Sequence, residues 1–158
     1  MAAKGGWWVA LRWLFYLVLM TLSIVVFACI VNHLFYTGGC HGYDERPGCN
    51  YAVAVGVISF VFAFLWLVWT SVECAERAPE AVGPIRIRGV EVVINGLVML
   101  LWFVSGIVLS AQQNGISDCT VVTGISCGCA RAALGISWIN WVLELGYTIV
   151  LVVMELRN

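Results

Sequence analysis

The sequence predicts an all-α membrane protein, a transmembrane four-helix bundle with both termini in the cytosol. Three observations lead there: the balance of apolar and charged residues, the spacing of long apolar runs, and the uneven placement of lysine and arginine. Of the 158 residues, 62% are hydrophobic and only 11% charged, where a water-soluble domain carries about 45–50% and about 25%. A soluble fold of this length cannot hide that much apolar surface, so lipid is the solvent for most of it. The net charge of −1 offers no basic surface for nucleic acid.

A helix needs roughly 20 apolar residues to cross about 30 Å of hydrocarbon. Four segments qualify, at about 13–36, 51–72, 92–111 and 132–154, and together they make one membrane domain over 1–158. Trp7 and Trp8 lead into the first, which is too long for the core of a cleaved signal peptide and is expected to be retained. The second carries no charge between Tyr51 and Val72. The fourth is interrupted once, by Glu144. Inside hydrocarbon every backbone N–H and C=O must be paired within the segment, so these spans are helices.

The connections are then two outer loops, 37–50 and 112–131, and one cytosolic loop, 73–91. Lys4, Arg12, Arg77, Arg86, Arg88 and Arg157 fall on the side of the termini, against Arg46 and Arg131 on the other. The positive-inside rule therefore places both termini in the cytosol. Trp7, Trp8, Tyr36, Tyr51 and Trp69 sit near span ends, where amphipathic rings meet the headgroups.

Cysteine placement agrees with that orientation. Cys40 and Cys49 fall in the first outer loop, and Cys119, Cys127 and Cys129 in or beside the second, on the side where disulfides persist. Cys40–Cys49 is the simplest pair, closing the turn-rich stretch between them, and Cys119 can pair with Cys127 or Cys129. Connectivity stays open, since five outer cysteines leave one over or allow pairing across loops. On the cytosolic side, Cys74 follows the second span and is a candidate palmitoylation site as well as a plain thiol.

Polar residues within spans carry the most information about packing. A charge near the bilayer centre costs at least about 2.5–3.5 kcal/mol, so Glu144 is expected to face the bundle and find a partner. Arg12, one turn into the first helix, is the expected partner by depth. Asn95 and Asn140 are further candidates for bonds between helices. Glu144 reads either as a proton or ion site or as buried glue, and the lack of a second carboxylate at its depth favours glue. Glu91, close to the cytosolic boundary, is expected to snorkel or to pair with a neighbouring arginine. Small residues four apart allow helices to approach: Ala52 and Gly56, Ser59 and Ala63, Gly106 and Ser110, Ala133 and Ser137. Packing within the bundle explains them more simply than a dedicated dimer face.

No phosphate-binding loop, zinc spacing or nucleophile–base arrangement is visible, so neither a catalytic nor a metal site is expected. His33 and His41 read as surface residues of the outer boundary. A quinone-linked thiol oxidoreductase is the one enzymatic alternative, since cysteines lie in both outer loops. Such enzymes use a Cys-x-x-Cys pair, and Cys127-Gly128-Cys129 has only one residue between its thiols.

Several runs resemble the synaptogyrins. Trp13-Leu14-Phe15 leading to Ile30-Val31-Asn32 resembles their first span, and Gly48-Cys49-Asn50-Tyr51-Ala52-Val53-Ala54-Val55-Gly56-Val57 the opening of their second. Leu101-Trp102-Phe103-Val104 is similar to their third, and Ala130-Arg131-Ala132-Ala133 to the start of their fourth. The resemblance implies the MARVEL-type tetraspan fold of the synaptogyrin and synaptophysin group. It implies work done by assembly within the bilayer of vesicles or of the plasma membrane: lateral oligomerisation, shaping of curvature and sorting of lipids, with no cofactor beyond bound lipid or sterol. A small channel or transporter, or an accessory subunit of a membrane complex, is the alternative prompted by Glu144, Asn95 and Asn140.

Overall fold

The computed structural model describes residues 3–37, 46–76, 84–111 and 125–156. They form four helices and no strand: α1 (Ala3–Thr37), α2 (Arg46–Glu76), α3 (Pro84–Ala111) and α4 (Ile125–Leu156). Pro84 opens α3 and Pro47 lies in the first turn of α2, where a missing N–H breaks no helical hydrogen bond. Each helix holds a window apolar enough to cross a membrane: Trp8–Val31, Asn50–Val72, Gly89–Ala111 and Arg131–Met154. The all-α, four-span expectation holds.

These helices are apolar around most of their circumference, so burial rather than hydropathy defines their inner faces. On α1 the buried residues are Arg12, Tyr16, Leu19, Ser23, Val26 and Ile30, at alternating steps of four and three. Glu91, Asn95, Val98, Trp102, Ser105 and Leu109 repeat the rhythm on α3, and Ala133, Ser137, Asn140, Glu144, Tyr147 and Leu151 on α4. Ala52, Val55, Ser59, Ala63, Leu67 and Thr70 form the stripe on α2. A seven-residue repeat of this kind keeps one seam facing its neighbours only when helices wrap with a slight left-handed supercoil.

The helices form a ring. α1 packs most extensively on α2 and α3 on α4, so the bundle is two hairpins joined by the thinner α1–α4 and α2–α3 seams. Alternating chain direction makes α1 and α3 parallel, and two bonds with the same offset, Arg12 to Glu91 and Asn95 to Tyr16, fix their register. Counting the stripes from that register places the core in layers. At one end Arg12, Thr70, Glu91 and Leu151 share a level; at the other, Ile30, Ala52, Leu109 and Ala133 do.

Close approach is built from small residues. Gly106 is buried beneath Trp138, whose ring lies where a Cβ would stand 2.9 Å away, and the Trp138 indole N–H donates to Ser110 Oγ at 3.2 Å. Gly56 faces the α1 backbone at Ser23 with room at ordinary contact distance. Of the other small residues expected at interfaces, Ala52, Ser59, Ala63, Ala133 and Ser137 are buried in the bundle and Ser110 is half-buried. Ser23, Thr70 and Ser137 turn their hydroxyls back onto the carbonyls of Leu19, Trp66 and Ala133, which hides a polar group inside its own helix.

Candidate functional site

The polar residues of the core fall into two groups with opposite character. The first closes on itself at the end of the bundle that holds Arg12. Glu91, on α3, is fully buried, and its carboxylate receives the Arg12 guanidinium from α1 through two bonds, Nε to Oε1 at 3.2 Å and Nη2 to Oε2 at 2.8 Å. The Tyr16 hydroxyl donates to Oε1 at 2.7 Å and the Tyr147 hydroxyl, from α4, to the same oxygen at 2.9 Å. Asn95 Nδ2, one turn beyond Glu91, donates to Tyr16 Oη at 3.0 Å and to the Glu91 carbonyl at 2.8 Å. Three helices are thus tied to one carboxylate.

The fourth helix supports this node through its rings. Phe62 and Trp66 of α2 pack edge-on and tilted against Tyr16, at centroid distances of 5.8 and 6.3 Å. Phe15 stacks on Tyr147 at 3.9 Å. An Arg–Glu pair taken into hydrocarbon is tolerable only when its remaining donors and acceptors are satisfied, and here the carboxylate accepts four bonds.

Arg12 therefore pairs with Glu91 and not with Glu144, the partner expected from depth. Arg12 and Glu91 share a layer, whereas Glu144 lies two layers further along, seven residues before Leu151, or about 10 Å at helical rise. Glu91 does not snorkel: its side chain is 1% exposed in the ion pair.

The second group has no such closure. Glu144 is fully buried and neither carboxylate oxygen has a hydrogen-bond partner. The register sets it level with Leu19, Ala63 and Val98, none of which carries a side-chain donor. Asn140, one turn away on the same face of α4, has both amide atoms buried without partners. Ser59 Oγ, Ser105 Oγ and Asn95 Oδ1 are likewise buried and unpartnered. A column of unused polar atoms thus runs through the middle of the bundle beside apolar neighbours.

Two further features face outward. A groove of about 340 Å³ between α1 and α2 is lined by Ser23, Ile24, Phe27, Gly56, Val57 and Phe60 and is apolar throughout. On α3 and α4, Phe103, Trp138 and Trp141 form a cluster of rings with centroids 5.3 to 6.0 Å apart.

Of the cysteines expected in outer loops, Cys40 and Cys119 lie outside the described residues, as do the side chains of Cys49 and Cys127, that of Cys74, expected in the cytosolic loop, and those of His33 and His41. Cys129 is described, on α4, as a free half-buried thiol, and the side chain it interacts with is Cys29 of α1. Sequence reasoning passed over Cys29, which sits in an apolar run with nothing to mark it. Among the described residues no group of histidine, cysteine, aspartate and glutamate is arranged to hold a metal ion.

No similar curated protein and no similar solved structure is found. The family of membrane-associating domains called MARVEL matches residues 8–150, which takes in the first three membrane-length windows, most of the fourth and both polar groups of the core. A bundle of four membrane-length helices, matched through nearly the whole of its length, the chain belongs to the MARVEL membrane-associating domain family.

Proposed function

We propose that this protein is a non-enzymatic organiser of membranes, acting by lateral oligomerisation in secretory or cytoplasmic vesicles or in the plasma membrane. The observation that carries this reading is the division of its surface. The polar groups of the core turn inward, while large apolar side chains such as Leu14, Phe64, Leu65, Val93, Leu97 and Val142 turn outward. A molecule built this way meets lipid and other membrane helices far more than it meets water. Helix association in lipid depends on close packing, and the α1–α2 groove and the Phe103–Trp138–Trp141 rings supply relief on an otherwise even surface. The resemblance of all four spans to synaptogyrins supports a vesicle role with curvature or lipid sorting as its output. Six basic residues against two support cytosolic termini.

Electron cryo-microscopy of the protein kept in native membrane fragments tests this. Rings or regular lateral arrays are expected. Isolated bundles at high surface density would remove the mechanism.

A second reading, a small channel or transporter acting alone or as an accessory subunit, draws on the buried, unpartnered Glu144 and Asn140. Liposome ion flux that disappears in Glu144→Gln and survives in Asn140→Ala would favour it. An absence of flux at any subunit density would dismiss it.

A further inference from the structure

The four apolar windows begin and end at common levels of the bundle, although each is a property of one helix alone. At the end that holds Arg12 and Glu91, Trp8 lies four residues before Arg12, Val72 two past Thr70, Gly89 two before Glu91 and Met154 three past Leu151. At the other end, Val31 lies one past Ile30, Asn50 two before Ala52, Ala111 two past Leu109 and Arg131 two before Ala133. Charge marks the first edge directly: Glu73 follows Val72, Arg88 precedes Gly89 and Glu155 follows Met154. Asn50 and Arg131, both exposed, mark the second. The molecule therefore presents an apolar belt with two level edges.

The height of that belt follows from helical rise. The windows hold 24, 23, 23 and 24 residues, about 35 Å at 1.5 Å per residue. The slight wrap of a four-helix bundle inclines each helix by about 10°, so about 34 Å remains along the bundle axis. Bilayers differ on this scale: the hydrocarbon of the endoplasmic reticulum is about 27 Å thick and that of the plasma membrane about 32–33 Å.

A lone helix that is too long for its bilayer tilts until it fits. These four cannot tilt one by one. Glu91 of α3 is bonded to Arg12 of α1 and Tyr147 of α4, and Tyr51 Oη of α2 donates to the Leu101 carbonyl of α3 at 3.4 Å. Tilting the whole bundle would sink one side of a broad molecule and lift the other, so the surrounding lipid has to supply the thickness. We propose that the bundle selects bilayers of long-chain lipid whose hydrocarbon core is about 34 Å thick. This names the lipid that the proposed organiser gathers, and it rests on that reading only for its use in the cell.

The test uses the full chain at single-copy density in sterol-free phosphatidylcholine vesicles, so that acyl-chain length alone varies. The host lipids are graded in monounsaturated chain length, from thinner than about 27 Å to thicker than about 34 Å. Each is mixed with a brominated lipid of one fixed chain length, which quenches tryptophan on contact. Trp13 and Trp69, both exposed on the outer surface, are the reporters. Displacement of the brominated lipid should be strongest with the host nearest about 34 Å, and at least about twofold weaker with a host of about 27 Å. Val68, Val93 and Val150 are exposed one turn inside the first edge. The combined variant Val68→Gln, Val93→Gln, Val150→Gln lowers that edge and should move the preferred thickness down by about 5 Å. If that variant does not fold, the host series with the unaltered chain decides alone. Equal displacement by every host, or a maximum at about 27 Å, overturns the proposal. Because single copies are measured, self-association does not enter the result. Isolated bundles in native membranes would remove the organiser reading and leave this one standing, and flat displacement would do the reverse.

Discussion

Glu91 and Glu144 are both fully buried in one bundle, on adjacent helices and only two layers apart, yet they live in different chemistry. Glu91 accepts four hydrogen bonds, two of them from a guanidinium. Glu144 accepts none. The difference is one of level, since the layer of Glu91 contains Arg12 and abuts that of Tyr16 and Tyr147, while the layer of Glu144 contains Leu19, Ala63 and Val98. Burial of a carboxylate in a membrane bundle is therefore not one phenomenon. Glu91 is a structural tie, and Glu144 is a polar group kept at a cost that packing alone does not explain.

Substitutions at the two sites should move stability in opposite directions. Glu91→Ala leaves Arg12 buried without its partner and should cost about 3–5 kcal/mol, read as a fall in thermal or denaturant midpoint in lipid or detergent. Adding Arg12→Leu should recover most of that loss, because the penalty belongs to the unpaired charge. Glu144→Leu should instead stabilise by about 1–3 kcal/mol, the desolvation cost of an unsatisfied polar group. A destabilised Glu144→Leu would show that the carboxylate has a partner and erase the contrast.

Smaller effects sharpen the same comparison. Asn95→Leu removes bonds to Tyr16 and to the Glu91 carbonyl and should cost about 1 kcal/mol, whereas Asn140→Leu should be neutral or favourable by the same measurement. Tyr147→Phe deletes one of four bonds to Glu91. Single hydrogen bonds between membrane helices average about 0.6 kcal/mol, so a loss near that value is expected. A loss several times larger would mean that the node acts as one cooperative unit.

Much of the architecture was readable from the chain, because hydropathy and length alone specify four spans in a solvent that tolerates only paired backbone. The position of Glu144 inside the bundle was readable too, from the price of exposing a carboxylate to lipid. The Arg12–Glu91 pair was not. Its members lie on helices joined only through α2, and register between parallel helices depends on connections that hydropathy does not measure. One signal was available. In a helix that is apolar all round, the few polar residues mark the inner face: Glu91, Asn95 and Ser105 on α3, or Ser137, Asn140 and Glu144 on α4, fall at steps that share one side. Cys29 offered no such signal, since a cysteine among valine and isoleucine reads as one more apolar residue.

The ion pair is divided between the two hairpins, Arg12 on the first and Glu91 on the second. Each half-molecule is left with an unpaired charge by itself. An undocked α1–α2 carries the Arg12 cation without its partner, and an undocked α3–α4 carries Glu91 without its guanidinium. Docking cancels both at once. Docking of the two hairpins is thereby coupled to electrostatics: a truncated or mispaired product leaves Arg12 or Glu91 without its counter-charge.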